Sequence, residues 1–154
     1  MGQYKYKAFI SYRHEPFDKQ VAEKLRKLLE VYHPDKNLKK PDDKINIFRD
    51  EDELPLSNDL NQDIKEALMD SEFLVVICSP ALKDSKWCTE EVRYFKELHN
   101  GSTSNIITVL ISGTPQESFI RELRYSIVNG EEIEVEPLAA NIVADSEKES
   151  FRKD

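Results

Sequence analysis

Short apolar runs alternate with amphipathic stretches along the chain. Lys7-Ala8-Phe9-Ile10-Ser11-Tyr12 predicts a first strand. Val21, Leu25, Leu28 and Leu29 then follow helical spacing and predict a helix over residues 16–32, with Pro16 suited to its first turn. Ile45-Asn46-Ile47-Phe48 predicts a second strand. Ser57 or Asn58 can cap a helix carrying Leu60, Ile64, Ala67 and Leu68. Phe73-Leu74-Val75-Val76-Ile77-Cys78 is apolar without a break, as a central strand buried on both faces would be. After a loop over 80–85, a third helix is expected at 87–99, a fourth strand at 106–111 and a short helical segment at 119–125. Ile133-Glu134-Val135-Glu136-Pro137-Leu138 alternates apolar and acidic residues, which predicts a half-exposed edge strand closed by Pro137. This alternation of five strands with helices predicts an open parallel sheet with helices on both faces. In such sheets ligands sit beyond the carboxyl ends of the strands. The loops beginning at Ser11, Arg49 and Ser79 are therefore where chemistry is expected.

Composition narrows the field. At 154 residues the chain suits one domain with one core. The expected division is a domain over 1–143 and an acidic tail or linker over 144–154, leading to a further module outside this chain. The formal charge of −8 repels phosphate backbones, so neither nucleic acid nor an anionic membrane is an expected partner. No apolar run approaches the roughly 20 residues that span a bilayer, and residues 1–6 do not resemble a secretory leader, so a cytoplasmic location is expected. Cys78 and Cys88 make no disulfide framework, neither has metal-ligand spacing, and no metal is expected.

The charge is uneven. Residues 50–72 hold nine acids against Lys65, and residues 131–154 hold eight acids against three bases. Solvated surface explains this on composition alone; pairing of copies head to tail is the sharper alternative. In the third helix Trp87, Glu91 and Phe95 are spaced by four and share a face, which Val92 and Leu98 widen into a packing stripe. Glu91 thus lies in or beside that stripe. From chemistry alone, an acid that flanks the stripe and reaches solvent is the simpler reading.

Four motifs, in order and each at its predicted element, carry a resemblance. Ala8-Phe9-Ile10-Ser11-Tyr12-Arg13 resembles the first motif of Toll/interleukin-1 receptor (TIR) domains. Phe48-Arg49-Asp50-Glu51-Asp52-Glu53-Leu54-Pro55 resembles their second strand and BB loop. Val76-Ile77-Cys78-Ser79-Pro80 resembles the third strand and its exit, and Ser85-Lys86-Trp87-Cys88-Thr89-Glu90-Glu91 the helix motif of bacterial, NAD-cleaving members. The resemblance implies a flavodoxin-like three-layer α/β sandwich, a five-stranded parallel sheet in the order 2-1-3-4-5, and an NAD+ glycohydrolase with Glu91 as the catalytic carboxylate and Trp87 orienting it. It implies no cofactor beyond NAD+ itself as substrate. The product would be nicotinamide with ADP-ribose, or a cyclic isomer.

Phe9, Tyr12, Arg13, Phe48 and Ser79 would contribute to the substrate pocket. Phe48 offers a stacking face and Arg13 a contact to the pyrophosphate. Core packing for Phe9 and Phe48, and a salt bridge for Arg13, are equally open readings. The acidic loop, Asp50, Glu51, Asp52, Glu53, Leu54, Pro55 and Leu56, would be the face on which further TIR copies assemble into an oligomer or filament. It departs from many family loops in having Leu56-Ser57 where a small residue or Gly often follows the proline. Bacterial immune signalling, as in antiphage defence, is the implied setting.

Three rivals stand beside this reading. A non-enzymatic TIR adaptor would associate homotypically and leave NAD intact. A response-regulator receiver shares the sheet but needs an acidic pair where Ser11-Tyr12-Arg13-His14 stands, and an aspartate where Cys78-Ser79-Pro80 stands. Tyr32-His33-Pro34-Asp35 mimics the J-domain signature, but lacks the two antiparallel helices that motif belongs between.

Overall fold

A computed structural model describes residues 4–31, 46–49, 60 and 62–141. In chain order it contains β1 (Tyr6–Ser11), α1 (Pro16–Val31), β2 (Ile47–Arg49), α2 (Gln62–Met69) and β3 (Ser71–Cys78). After a 3₁₀ turn (Pro80–Asp84) come α3 (Lys86–Leu98), β4 (Ile106–Leu110), the single turns α4 (Pro115–Ser118) and α5 (Arg121–Arg124), then β5 (Tyr125–Val128), β6 (Glu131–Glu134) and β7 (Leu138–Asn141). The main sheet runs β2-β1-β3-β4-β7, parallel throughout. That is the doubly wound class and the 2-1-3-4-5 order expected, with β7 in fifth place.

Strand alternation sorts the core onto two faces. Ala8, Ile10 and Tyr12, with Val75, Ile77, Val109 and Ile111, pack with Val21 and Ala22 of α1. Phe9, Leu74, Val76, Cys78, Ile106 and Leu110 pack with Ile64 and Leu68 of α2 and Trp87, Val92 and Phe95 of α3. Leu74, Val76, Ile77 and Cys78 are fully buried, as an unbroken apolar central strand requires.

The final strand is a correction. Residues 133–138 do not form the edge strand of the main sheet. Asn129 and Gly130, with φ of 54° and 82°, make the kind of two-residue turn that folds β6 back antiparallel onto β5. This takes Ile133 and Glu134 out of the main sheet. Pro137 precedes the fifth strand rather than closing it, and Leu138–Asn141 pairs with β4. The helical segment expected at 119–125 is reduced to Arg121–Arg124, and an additional turn starts at Pro115. Thr114 and Glu117 make a reciprocal capping box there. The loop expected at 80–85 contains the 3₁₀ turn. Ile45, the Ser57 and Asn58 caps, the His33-Pro34 motif, the acidic loop 50–56 and the tail 144–154 lie outside the described residues.

Candidate active site

The carboxyl end of β1 and the first turns of α3 meet at a buried polar contact, and Ser79 is buried at the exit of β3. Ser85 starts α3 in extended conformation, and its side chain accepts the Cys88 backbone N–H at 3.2 Å. This cap fixes which residues of α3 face the sheet. Trp87, Cys88, Glu91, Val92 and Phe95 are all buried. Glu91 is 1% exposed, so it does not flank the stripe and reach solvent; it belongs to the buried face. The Ser11 hydroxyl, at the end of β1, donates to Glu91 Oε1 at 2.6 Å across a span of 80 residues. That length is characteristic of a hydroxyl donating to a carboxylate, about 2.5–2.7 Å. Carrying an acid into a protein interior costs on the order of several kcal/mol unless it is bonded. The Ser11–Glu91 bond is therefore what ties α3 to the mouth of the sheet at this point.

Cys88 sits beside the same carboxylate. Burial, reinforced by Glu91, pushes its thiol up to about 12. The thiolate is scarce at neutral pH, so Cys88 is a packed residue rather than a nucleophile. Burial also raises the Cys78 thiol, and both cysteines are free.

The other expected site residues fall into two groups. Trp87 is 6% exposed, one turn before Glu91, and Tyr12 is buried with its ring stacked on His14 at 4.8 Å. Arg13 leaves the end of β1 and pairs with Asp18 of α1 at 3.3 Å. Ser79 is buried at the exit of β3, and among the described residues its hydroxyl has no hydrogen-bond partner. Tyr12, Arg13 and Ser79 directly follow the carboxyl ends of β1 and β3, while Trp87 lies in the first turn of α3. Phe9 and Phe48 belong to the core in this structure. Phe9 is wholly buried and stacks on Phe48 at 5.0 Å, and Phe48 meets Tyr6 edge-on at 5.2 Å. Arg49, at the end of β2, is held by Glu23 of α1 at 2.8 Å.

Two participants were not singled out from the sequence, Ser11 and Asp18. Asp18 falls on the stripe of α1 with Val21, Ala22 and Leu25, where an acid has no apolar reason to be; the spacing that exposed Glu91 would have exposed it too. Two clefts, one bounded by Thr103, Leu123 and Pro137 and the other by Phe119, Arg124 and Val135, lie against the β5–β6 hairpin and its flanks; Glu91 and Trp87 line neither. Among the described residues no cluster of His, Cys, Asp and Glu is arranged to hold a metal ion.

A sequence profile of the TIR domain matches residues 8–139, most of the chain. The chain belongs to the TIR domain family. This TIR domain is 32% identical over 112 residues to the NAD(+) hydrolase ApTIR of Actinoplanes sp. SE50/110. The match takes in 71% of this chain and 14% of that protein, so the chain spans about a seventh of the relative's length. Its fold is similar to the TIR domains in the solved structure of the activated Roq1 resistosome directly recognizing the pathogen effector XopQ. The TM-score is 0.54 at 24% identity, covering 73% of this chain and 61% of that one, a likeness of fold. No helix among the described residues is long and apolar enough to cross a membrane.

Proposed function

We propose that this TIR domain cleaves NAD+ at the nicotinamide–ribose bond, with Glu91 as the catalytic carboxylate. The observation that carries this reading is Glu91 itself: an acid buried to 1% exposure, bonded by Ser11 and placed one turn after Trp87 at the carboxyl edge of a parallel sheet. Similarity to a hydrolase of NAD(+) supports the choice of substrate.

The chemistry suits a single carboxylate. As the C1′–N bond breaks, its electron pair neutralises the nicotinamide ring, so the leaving group needs no proton and no general acid. Positive charge grows on the ribose, and a fixed carboxylate stabilises it in a water-poor site. Water then bonds to C1′ and loses a proton, giving nicotinamide and ADP-ribose; attack by an adenine nitrogen would give a cyclic isomer instead. Trp87 orients Glu91, Tyr12 and Ser79 border the pocket, and Arg13 meets the diphosphate. Phe9 and Phe48 would contribute a stacking face only if their mutual contact opens.

The near-complete burial of Glu91 and Trp87 implies a resting state that substrate cannot enter. Association with further TIR copies through residues 50–56 is the proposed means of opening it, within bacterial immune signalling in the cytoplasm. The same burial favours the second reading, an adaptor that only associates.

Nicotinamide release from NAD+ separates the two. The wild-type domain at high concentration should release nicotinamide, and Glu91→Gln should lower kcat about 10²–10³-fold, the loss typical of one electrostatic stabiliser. Intact NAD+ at every concentration, with oligomers that depend on Leu54 or Leu56, would establish the adaptor.

A further inference from the structure

The side chain of Asp18 lies on the buried stripe of α1 and is 2% exposed as a residue, less than the apolar Leu25 beside it on that stripe. Its Oδ1 accepts from Arg13 Nη2 at 3.3 Å, a long reach against the about 2.7–2.9 Å of a tight guanidinium–carboxylate bond. Oδ2 is buried and, among the described residues, has no hydrogen-bond partner, and neither has Arg13 Nε. Burial holds the Asp18 carboxyl above its usual range, and the Arg13 guanidinium pulls against that rise without cancelling it. The Asp18 carboxylate has therefore been brought out of water against one long ion pair. A pair selected for stability alone would be bidentate and tight. Buried charged groups with perturbed titration concentrate at functional sites, which makes this pair a candidate for one.

Position agrees with chemistry. Only residues 12–15 separate the end of β1 from the start of α1, so Arg13 leaves the sheet beside Ser11 while Asp18 faces it from the first turn of the helix. The Arg13 side chain keeps 25% of its surface exposed, against 3% for Asp18. The cation is thus presented outward and the anion behind it is sealed.

We infer that Asp18 is a positioning residue: it anchors Arg13 from behind, so that the guanidinium meets the anionic diphosphate of the substrate at the mouth of the Glu91 site. The assignment rests on the NAD-cleaving reading for the identity of the diphosphate, and its test does not depend on turnover. Asp18 touches no substrate; it acts through Arg13.

Equilibrium binding of ADP-ribose to wild type, Asp18→Asn, Arg13→Gln and the double variant tests this, with urea unfolding of each as the control for folding. Asp18→Asn should weaken ADP-ribose about tenfold, the loss expected when one charge-assisted contact is loosened. It should do so without lowering the unfolding midpoint. The double variant should bind no more weakly than Arg13→Gln alone, since the two act as one unit. With NAD+ as substrate the penalty should fall on KM rather than kcat. Equal affinity of wild type and Asp18→Asn, additive losses in the double variant, or no ADP-ribose binding by any form would overturn the assignment. Asp18-dependent binding without nicotinamide release would instead sink the hydrolase reading and leave this one standing.

Discussion

The Ser11–Glu91 bond joins the end of β1 to the acid proposed as the catalytic carboxylate. The bond closes a loop of 80 residues and satisfies a buried carboxylate oxygen. Ser11→Ala removes the donor and leaves the acid in place. A buried acceptor stranded in this way costs about 1–3 kcal/mol. Urea unfolding should register that loss, and nicotinamide release should fall as Glu91 loses its orientation; unchanged values in both would show that the bond is incidental.

Asp18 makes the opposite contribution. Burial raises its carboxyl in the folded state, so the folded chain holds that proton more tightly than the unfolded one does. Stability from Asp18 is therefore fullest at acid pH and is lost as pH rises through the folded value. Asp18→Asn removes this dependence. The stability of the variant relative to wild type should grow between about pH 3 and pH 7, spanning the unperturbed carboxylate range. A constant difference, measured by denaturant titration across that window, would contradict the assignment of the shift to Asp18.

At the scale of elements, glycines decide how α3 ends and how the hairpin turns. Gly101 follows α3 with φ of 84°, and its N–H donates to Lys96 O at 2.7 Å, closing the helix. A Cβ there would lie 2.5 Å from Ile127 Cγ1, so α3 and β5 approach as closely as they do only because the residue is glycine. Gly130 has a similar φ of 82° but nothing within 4 Å of its absent Cβ. Both alanine substitutions incur the left-handed penalty, on the order of 1 kcal/mol. Gly101→Ala adds a steric clash worth about 1–3 kcal/mol. Thermal unfolding should therefore drop further for Gly101→Ala than for Gly130→Ala. Near-equal drops would mean that Ile127 moves aside freely.

Legibility differs between these elements for the same local reasons. α1 and α3 are legible because each carries one helical period of apolar residues, and β1 and β3 because each is a short apolar run. The edge strand expected at 133–138 gives way to a hairpin that Asn129-Gly130 announces in two residues. The acidic alternation of 131–136 looked equally well like an edge strand, because a hairpin strand and a sheet edge share the same half-exposed pattern.

For the whole molecule, the charge of −8 is concentrated in segments 50–72 and 131–154, leaving the remainder net positive. Association of copies through the acidic loop would be driven in part by that asymmetry. Salt should then weaken it, since the screening length falls from about 10 Å at 0.1 M to about 3 Å at 1 M. Sedimentation at low and high salt should show the oligomer dissolving as salt rises, and nicotinamide release should decline with it. Oligomers that strengthen with salt would point to an apolar interface instead.

The sequence by itself determined what depends on near neighbours along the chain: the alternating elements, the class of sheet, the stripe that carries Glu91, and the four motifs that place the chain in its family. Periodicity and capping act over a few residues, so they are written locally. Only the tertiary structure decided that Ser11 meets Glu91, that Phe9 stacks on Phe48, that Asp18 sits behind Arg13, and that β7 rather than β6 completes the sheet. Each of these joins segments through strand order and burial, and the cost of leaving a buried charge or backbone edge unpaired is settled by partners that local sequence does not name.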